Sequence, residues 1–304
     1  MADVNLSSAV RANLLSLQRT TDLINRTQGR LSTGLSVSSP VDNAVKFFQA
    51  KSLSDRAGDL TGRKDGIDQG VNALKTAIEA TTAMENLTEQ MKGIIDSARS
   101  GDASQREEYG DQLKELANQL QKLVNDASYQ GLNLLNSTAS TLSVRFSEKS
   151  DSKLDIVGND FNMSAFFLDS AGGAVFGTQA GDKDNIVTLL GFTAALSGYN
   201  FSLAGSLAAF NSKADIALTR LDKTISNLRA KSATLANNIA ILQVRLDFTD
   251  EYVQVLEEGS GKLTLADLNE EGANLLALQT RQQLGIQALS FAGQAEQGIL
   301  GLFR

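Results

Sequence analysis

Between Leu221 and Leu246 the residues Leu221, Ile225, Leu228, Leu235, Ile239, Leu242 and Leu246 keep a strict four-three spacing, with Ser232 in the one gap. Such a register, held over more than three heptads, demands a long α-helix with one narrow apolar seam packed along another helix. A matching surface lies earlier in the chain. Leu113, Leu116, Leu120 and Leu123 follow helical spacing, and so do Val71, Leu74, Ile78, Leu87, Met91, Ile94 and Ile95. These stripes read as the body of a helical bundle, with Leu113, Leu116, Leu120, Leu221, Ile225, Leu228, Leu235, Ile239 and Leu242 as its packing residues.

Both chain ends carry stripes of their own. Val10, Leu14, Leu17, Ile24 and Leu31 form one, with Thr21 and Gln28 at its polar positions. Leu268, Leu275, Ile286, Leu289, Leu300 and Phe303 form the other. An arm of about 25 helical residues is roughly 38 Å long but too narrow to make a core alone. Two seams seeking neighbours suggest polymerisation, and a head-to-tail contact that does not close makes a filament.

Punctuation agrees with the same scheme. Gly34 ends the first arm, and Ser39-Pro40-Val41-Asp42 is a helix start with Ser as the cap. Gly58, Gly62, Gly66 and Gly70 weaken the case for one unbroken helix there. Ser104-Gln105-Arg106-Glu107 predicts a capping box, Gly259-Ser260-Gly261 a break, and Thr264 to Asp267 a new cap. From about 131 to 205 the character changes. Thr141 to Ser147 alternates with period two, as a half-buried strand does, and Gly, Ser, Asn and Phe are frequent from there to about 205. The fold class is therefore mainly α: long antiparallel, coiled-coil helices from both chain ends, with a small β-rich central insertion. The divisions are 1–40 (arm), 41–140 (body), 141–204 (outer segment), 205–261 (body) and 262–304 (arm).

Composition removes most chemistry. The chain has no Cys and no His, so it has no thiolate nucleophile, no disulfide, and neither the usual neutral-pH base nor the commonest transition-metal ligand. An enzyme is not expected, and no catalytic, cofactor or metal residue is assigned. Aromatics are 6% with no Trp, which leaves Leu, Ile, Val and Ala to build the helix contacts. A net charge of −7 argues against nucleic acid, and no apolar run is long enough to span a membrane. The local motif matches are weak. Asp182-Lys183-Asp184-Asn185 has Ile186 at the next ligand position of a calcium loop, and Gly259-Ser260-Gly261-Lys262 comes after a helix where a phosphate loop comes after a strand. The sequons at Asn136, Asn162 and Asn200 are short matches that arise by chance.

The terminal residues carry a family resemblance. Arg30-Leu31-Ser32-Thr33-Gly34-Leu35, with Asp42-Asn43-Ala44 after it, resembles the N-terminal motif of the bacterial flagellins. Ser128-Tyr129-Gln130-Gly131-Leu132-Asn133-Leu134-Leu135 is similar to the family's aromatic-Asn-Gly turn. Arg281 to Ser290 and the ending Ile299 to Arg304 resemble its C-terminal arm. The likeness covers about 1–140 and 205–304, and Lys46 to Ala50 with Asn269 to Gly272 resembles the alphaproteobacterial branch. The resemblance implies an extracellular filament subunit for motility, with the arms lining an inner tube. It also implies export unfolded, without a signal peptide, and as partners the chain itself, an export chaperone, and hook-junction and cap proteins. At Gln90-Met91-Lys92-Gly93-Ile94 the sequence departs from the Arg- and Glu-containing run that an innate immune receptor recognises, so that partnership is not carried over. Two other readings stand beside the filament subunit: a hook–filament junction protein of the same family, and a coiled-coil adaptor that does not polymerise.

Overall fold

The structure is a computed structural model that describes residues 8–162, Phe166, Leu190 and 207–302. Among these residues it contains α1 (Ser8–Thr33), α2 (Ala44–Ser100), α3 (Ala103–Asp126), α4 (Leu207–Thr264) and α5 (Leu268–Leu302). Two hairpins lie between α3 and α4: β1 (Ser128–Tyr129) with β2 (Leu132–Asn133), and β3 (Thr141–Arg145) with β4 (Lys153–Val157). The chain divides into two compact units, one of Met1–Asp59 with Tyr252–Arg304, the other of Leu60–Glu251.

The second unit holds the main core. On α2 two heptad series face inward: Ile67, Leu74, Thr81, Thr88 and Ile95, and then Gly70, Ala77, Met84, Met91 and Ala98. Opposite them α4 buries Ala214, Leu221, Ile225, Leu228, Leu235 and Leu242, with Ile239 and Leu246 partly covered. The third helix, α3, adds Leu113, Ala117, Leu120 and Val124, with Leu116 partly buried. Ion pairs Lys64–Asp250, Glu85–Arg229, Lys92–Asp222 and Arg99–Asp215 run in opposite sequence directions, which fixes α2 and α4 as antiparallel. All are partly exposed and screened by solvent, so they fix direction more than they add stability. The gap residue Ser232 is not idle: its hydroxyl lies 2.7 Å from that of Thr81 across the seam.

The hairpins close this core. In β3 and β4 the inward positions Val144 and Ile156 are buried, and Phe146 lies under the guanidinium of Arg245 at 5.1 Å. Gly70 is small because Val144 comes there: a Cβ would sit 2.7 Å from its Cγ2. Gln130 (φ 51°) and Gly131 (φ 84°) form the two-residue turn of the first hairpin, and positive φ at both is what a type I′ turn requires. Gln130 carries strain there that Asn bears more easily. Gln130→Asn should raise the unfolding free energy measured in urea by an amount on the order of 0.5–1 kcal/mol. No change would mean that the turn relaxes in solution. Of 141–204, the residues beyond Asn162 other than Phe166 and Leu190, including Asp182 to Asn185, lie outside the described residues.

Several helix boundaries differ from expectation. The helix α2 begins at Ala44 because Asn43 is its cap, with Lys46 N donating to Asn43 Oδ1 at 3.0 Å. Ser39 to Asp42 is instead a turn before the helix. Asp42 Oδ2 accepts from the backbone N and the hydroxyl of both Ser38 and Ser39. Those bonds, led by the Ser39 hydroxyl, hold the Asp42 carboxyl below its ordinary value of 3.8. A depressed carboxyl stabilises the fold above its unfolded pKa, and the gain is lost as pH falls through the folded one. An NMR titration should place Asp42 below 3.8; a midpoint at or above it would show that the turn does not persist. The capping box of α3 is Asp102 with Gln105, two residues earlier than the spacing suggested. Both α2 and α4 run unbroken through their glycines. At Gly259-Ser260-Gly261 small size serves close approach: Ser260 Oγ donates to Ala50 O at 3.1 Å, and a Cβ on Gly259 would meet Leu53 Cδ1 at 3.4 Å.

Candidate assembly surface

In the first unit α1 and α5 pair antiparallel. Leu17 covers Gly285, where a Cβ would lie 2.8 Å from Leu17 Cδ2, and Arg30 Nη1 donates to Glu271 Oε1 at 2.7 Å. The inward line of α1 is Val10, Leu17, Thr20, Ile24, Thr27 and Leu31; that of α5 is Glu271, Leu275, Leu278, Gln282, Gly285 and Leu289. Both repeat at three and four residues, so each is a heptad seam. Thr20 and Thr27 take the polar places that the spacing assigns to Thr21 and Gln28, and Thr20 Oγ1 is satisfied by donating to Ser16 O at 2.8 Å.

The site residues read from the sequence thus divide. Val10, Leu17, Ile24, Leu31, Leu275 and Leu289 face the partner helix of the same chain. Leu14, Leu268 and Ile286 point outward and are exposed. Leu300 lies in α5, and Phe303 is outside the described residues. The seams are therefore closed within the chain, and further apolar side chains remain open beside Leu14, Leu268 and Ile286. Leu15 and Leu23 on α1, with Leu276, Leu284 and Phe291 on α5, are all at least 40% exposed, Phe291 reaching 70%. Leu284 and Phe291 are seven apart and share one flank. From Gly272 to Ala295 the only charged residue is Arg281, and the polar side chains exposed between these apolar ones are otherwise uncharged, Gln279, Gln283 and Gln287 among them. A stripe search that tracks the strongest seam misses these residues; the scarcity of charge on α5 is the signal that finds them.

The short segments beside this pair explain the motif residues. Gly34 (φ 71°) ends α1 in the left-handed conformation, its N–H donating to Arg30 O at 2.8 Å. Leu35 then bridges to Leu265. The Thr264 carbonyl accepts from Ser36 N at 2.7 Å and Val37 N at 3.2 Å, and Ala266 N donates to Gly34 O at 2.9 Å. The cap of α5 is Asp267, whose Oδ1 accepts from Asn269 N and Glu270 N. Among the described residues no cluster of side chains suits a metal ion, and no helix is long and apolar enough to cross a membrane.

Comparison with known proteins places this arrangement. Residues 4–140 match the bacterial flagellin N-terminal helical region. Flagellin FljO of Caulobacter vibrioides is 30% identical over 303 residues, covering 99% of this chain and 98% of that one. A flagellin of Brucella melitensis is 26% identical over 310 residues and covers both chains fully. In fold, a solved structure assigned to the flagellar hook-associated proteins of Vibrio parahaemolyticus has a TM-score of 0.57 at 12% identity, over 74% of this chain and 100% of that one.

Proposed function

Because this chain belongs to the bacterial flagellin family, we propose that it is a structural subunit that self-assembles into the extracellular flagellar filament and serves swimming motility. The observation that carries this reading is the outer face of the terminal helix pair, where Leu276, Leu284 and Phe291 stay exposed on a nearly uncharged helix. A surface of that kind is costly in a lone molecule and is covered when copies stack. In this reading Val10, Leu17, Ile24, Leu31, Leu275 and Leu289 build the paired scaffold, and Leu14, Leu268 and Ile286 join the contact with neighbouring subunits. The ends 1–40 and 262–304 then form an inner tube, 41–140 and 205–261 an outer one, and 141–204 the exposed surface.

Export through the flagellar secretion apparatus, with an export chaperone and with hook-junction and cap proteins as partners, belongs to the same reading. Flagellin relatives matching over nearly the whole length favour the filament subunit over the junction protein. Innate immune recognition is not part of it, since Met91 is buried and Lys92 is held by Asp222. Electron microscopy of the purified chain after salt-induced assembly tests the reading. Long filaments are expected. Short end structures would favour the junction protein, and no polymer at all would favour a coiled-coil adaptor.

A further inference from the structure

Arg30 and Glu271 lie 241 positions apart in sequence, yet they form the only ion pair between α1 and α5 among the described residues. Arg30 is in the last turn of α1 and Glu271 in the first turn of α5, so each charge also suits the dipole of its own helix. The Glu271 side chain is only 10% exposed and that of Arg30 33%. The apolar seams discriminate by size and not by charge: both repeat every seven residues, and a shift of one heptad trades Leu17 over Gly285 for Leu17 against Leu278 or Ala292. The backbone hydrogen bonds of the neighbouring crossover tether the end of α1 to the start of α5, through groups that every residue other than proline offers. A shift would, however, leave the Glu271 carboxylate close to buried without its cation, which is strongly unfavourable.

We propose that the Arg30–Glu271 ion pair is the side-chain lock that holds the terminal helix pair in its observed register, and so decides which apolar residues the pair presents to a neighbouring subunit. The second half of that statement rests on the assembly reading; the lock itself is within one chain.

The absence of cysteine makes the test clean. Gln282 Nε2 lies 3.4 Å from Thr21 Oγ1, so Thr21→Cys with Gln282→Cys reports the observed register. Thr21→Cys with Leu275→Cys reports a shift of one heptad. The intrachain disulfide yield of both pairs is measured by non-reducing electrophoresis and mass spectrometry, in the unassembled chain and after salt-induced assembly. Without further change the first pair should dominate. Glu271→Arg should lower the ratio of the first disulfide to the second roughly tenfold, the effect of losing one charge-assisted contact in a largely buried place. Adding Arg30→Glu to Glu271→Arg should restore it. An unchanged ratio in Glu271→Arg would mean that the backbone crossover alone sets the register, and failure of the reversed pair to restore it would mean that charge complementarity is not the cause; either overturns the lock. Circular dichroism shows whether a variant keeps its helices; yields that fall equally for both pairs with helix lost would place Glu271 in folding and overturn the lock as well. If the two-cysteine chain with Arg30 and Glu271 unchanged shows the first disulfide but the cysteine-free chain forms no filaments, the assembly reading fails and the lock stands.

Discussion

Replacing Leu284 and Phe291 together by Asp should abolish filament formation while leaving the unit of Leu60–Glu251 folded. The two side chains are 60% and 70% exposed, so they contribute little to the α1–α5 pair in one molecule. Covered by a neighbouring subunit, each is worth roughly 1.5–3 kcal/mol, and the gain recurs at every subunit. Losing about 3–6 kcal/mol per contact raises the critical concentration by roughly two to four orders of magnitude. The introduced carboxylates add a desolvation cost on top. Sedimentation of polymer across a concentration series measures the effect, and the milder pair Leu284→Ala with Phe291→Ala should fall between the two. Thermal unfolding of the Leu60–Glu251 unit should not move, because none of its core is touched. Normal assembly of the Asp variant would remove this flank from the contact.

The second large effect is on stability and has the opposite pattern. Leu221→Ala should lower the unfolding free energy by about 2–5 kcal/mol, because Leu221 is fully buried between α4 and the other helices and long helices cannot collapse into the space. Ser232→Ala, one turn beyond Leu228 on the same seam, should cost only about 0.5–1.5 kcal/mol. Its partner, Thr81, keeps a second acceptor in Ile78 O at 2.8 Å, so no buried donor is stranded. Urea unfolding with unchanged slope distinguishes the two. Equal losses would mean that the hydroxyl pair holds more of the seam than its geometry indicates.

The seam of α4 is legible in the sequence because aliphatic residues fill it at constant spacing, and that pattern admits only a helix. The α1 seam is half legible. Val10, Leu17, Ile24 and Leu31 face inward, but Leu14, apolar and in register, lies outside, while Thr20 and Thr27 lie inside. A binary reading of polarity misses threonine, whose methyl packs while its hydroxyl bonds back to its own helix. The α5 seam is less legible still, since Glu271, Gln282 and Gly285 occupy it and Leu276, Leu284 and Phe291 do not. There the inward residues are chosen by fit to α1: glycine under Leu17, a carboxylate beside Arg30. Helix caps are displaced for a related reason, because Asn43, Asp102 and Asp267 each compete with a nearby Ser or Thr, and only backbone geometry decides which oxygen reaches the free N–H groups. Glycine is the weakest guide, as at Gly259, where it allows two helices to come close.

Cryo-electron microscopy of filaments grown from the purified chain reads the subunit contact directly. If the outer faces of the terminal helix pair join the subunits, Leu276, Leu284 and Phe291 will be buried against α1 or α5 of neighbouring copies, with Arg30 still on Glu271. Filaments in which those three side chains remain in contact with water, and the subunits meet elsewhere, would contradict it.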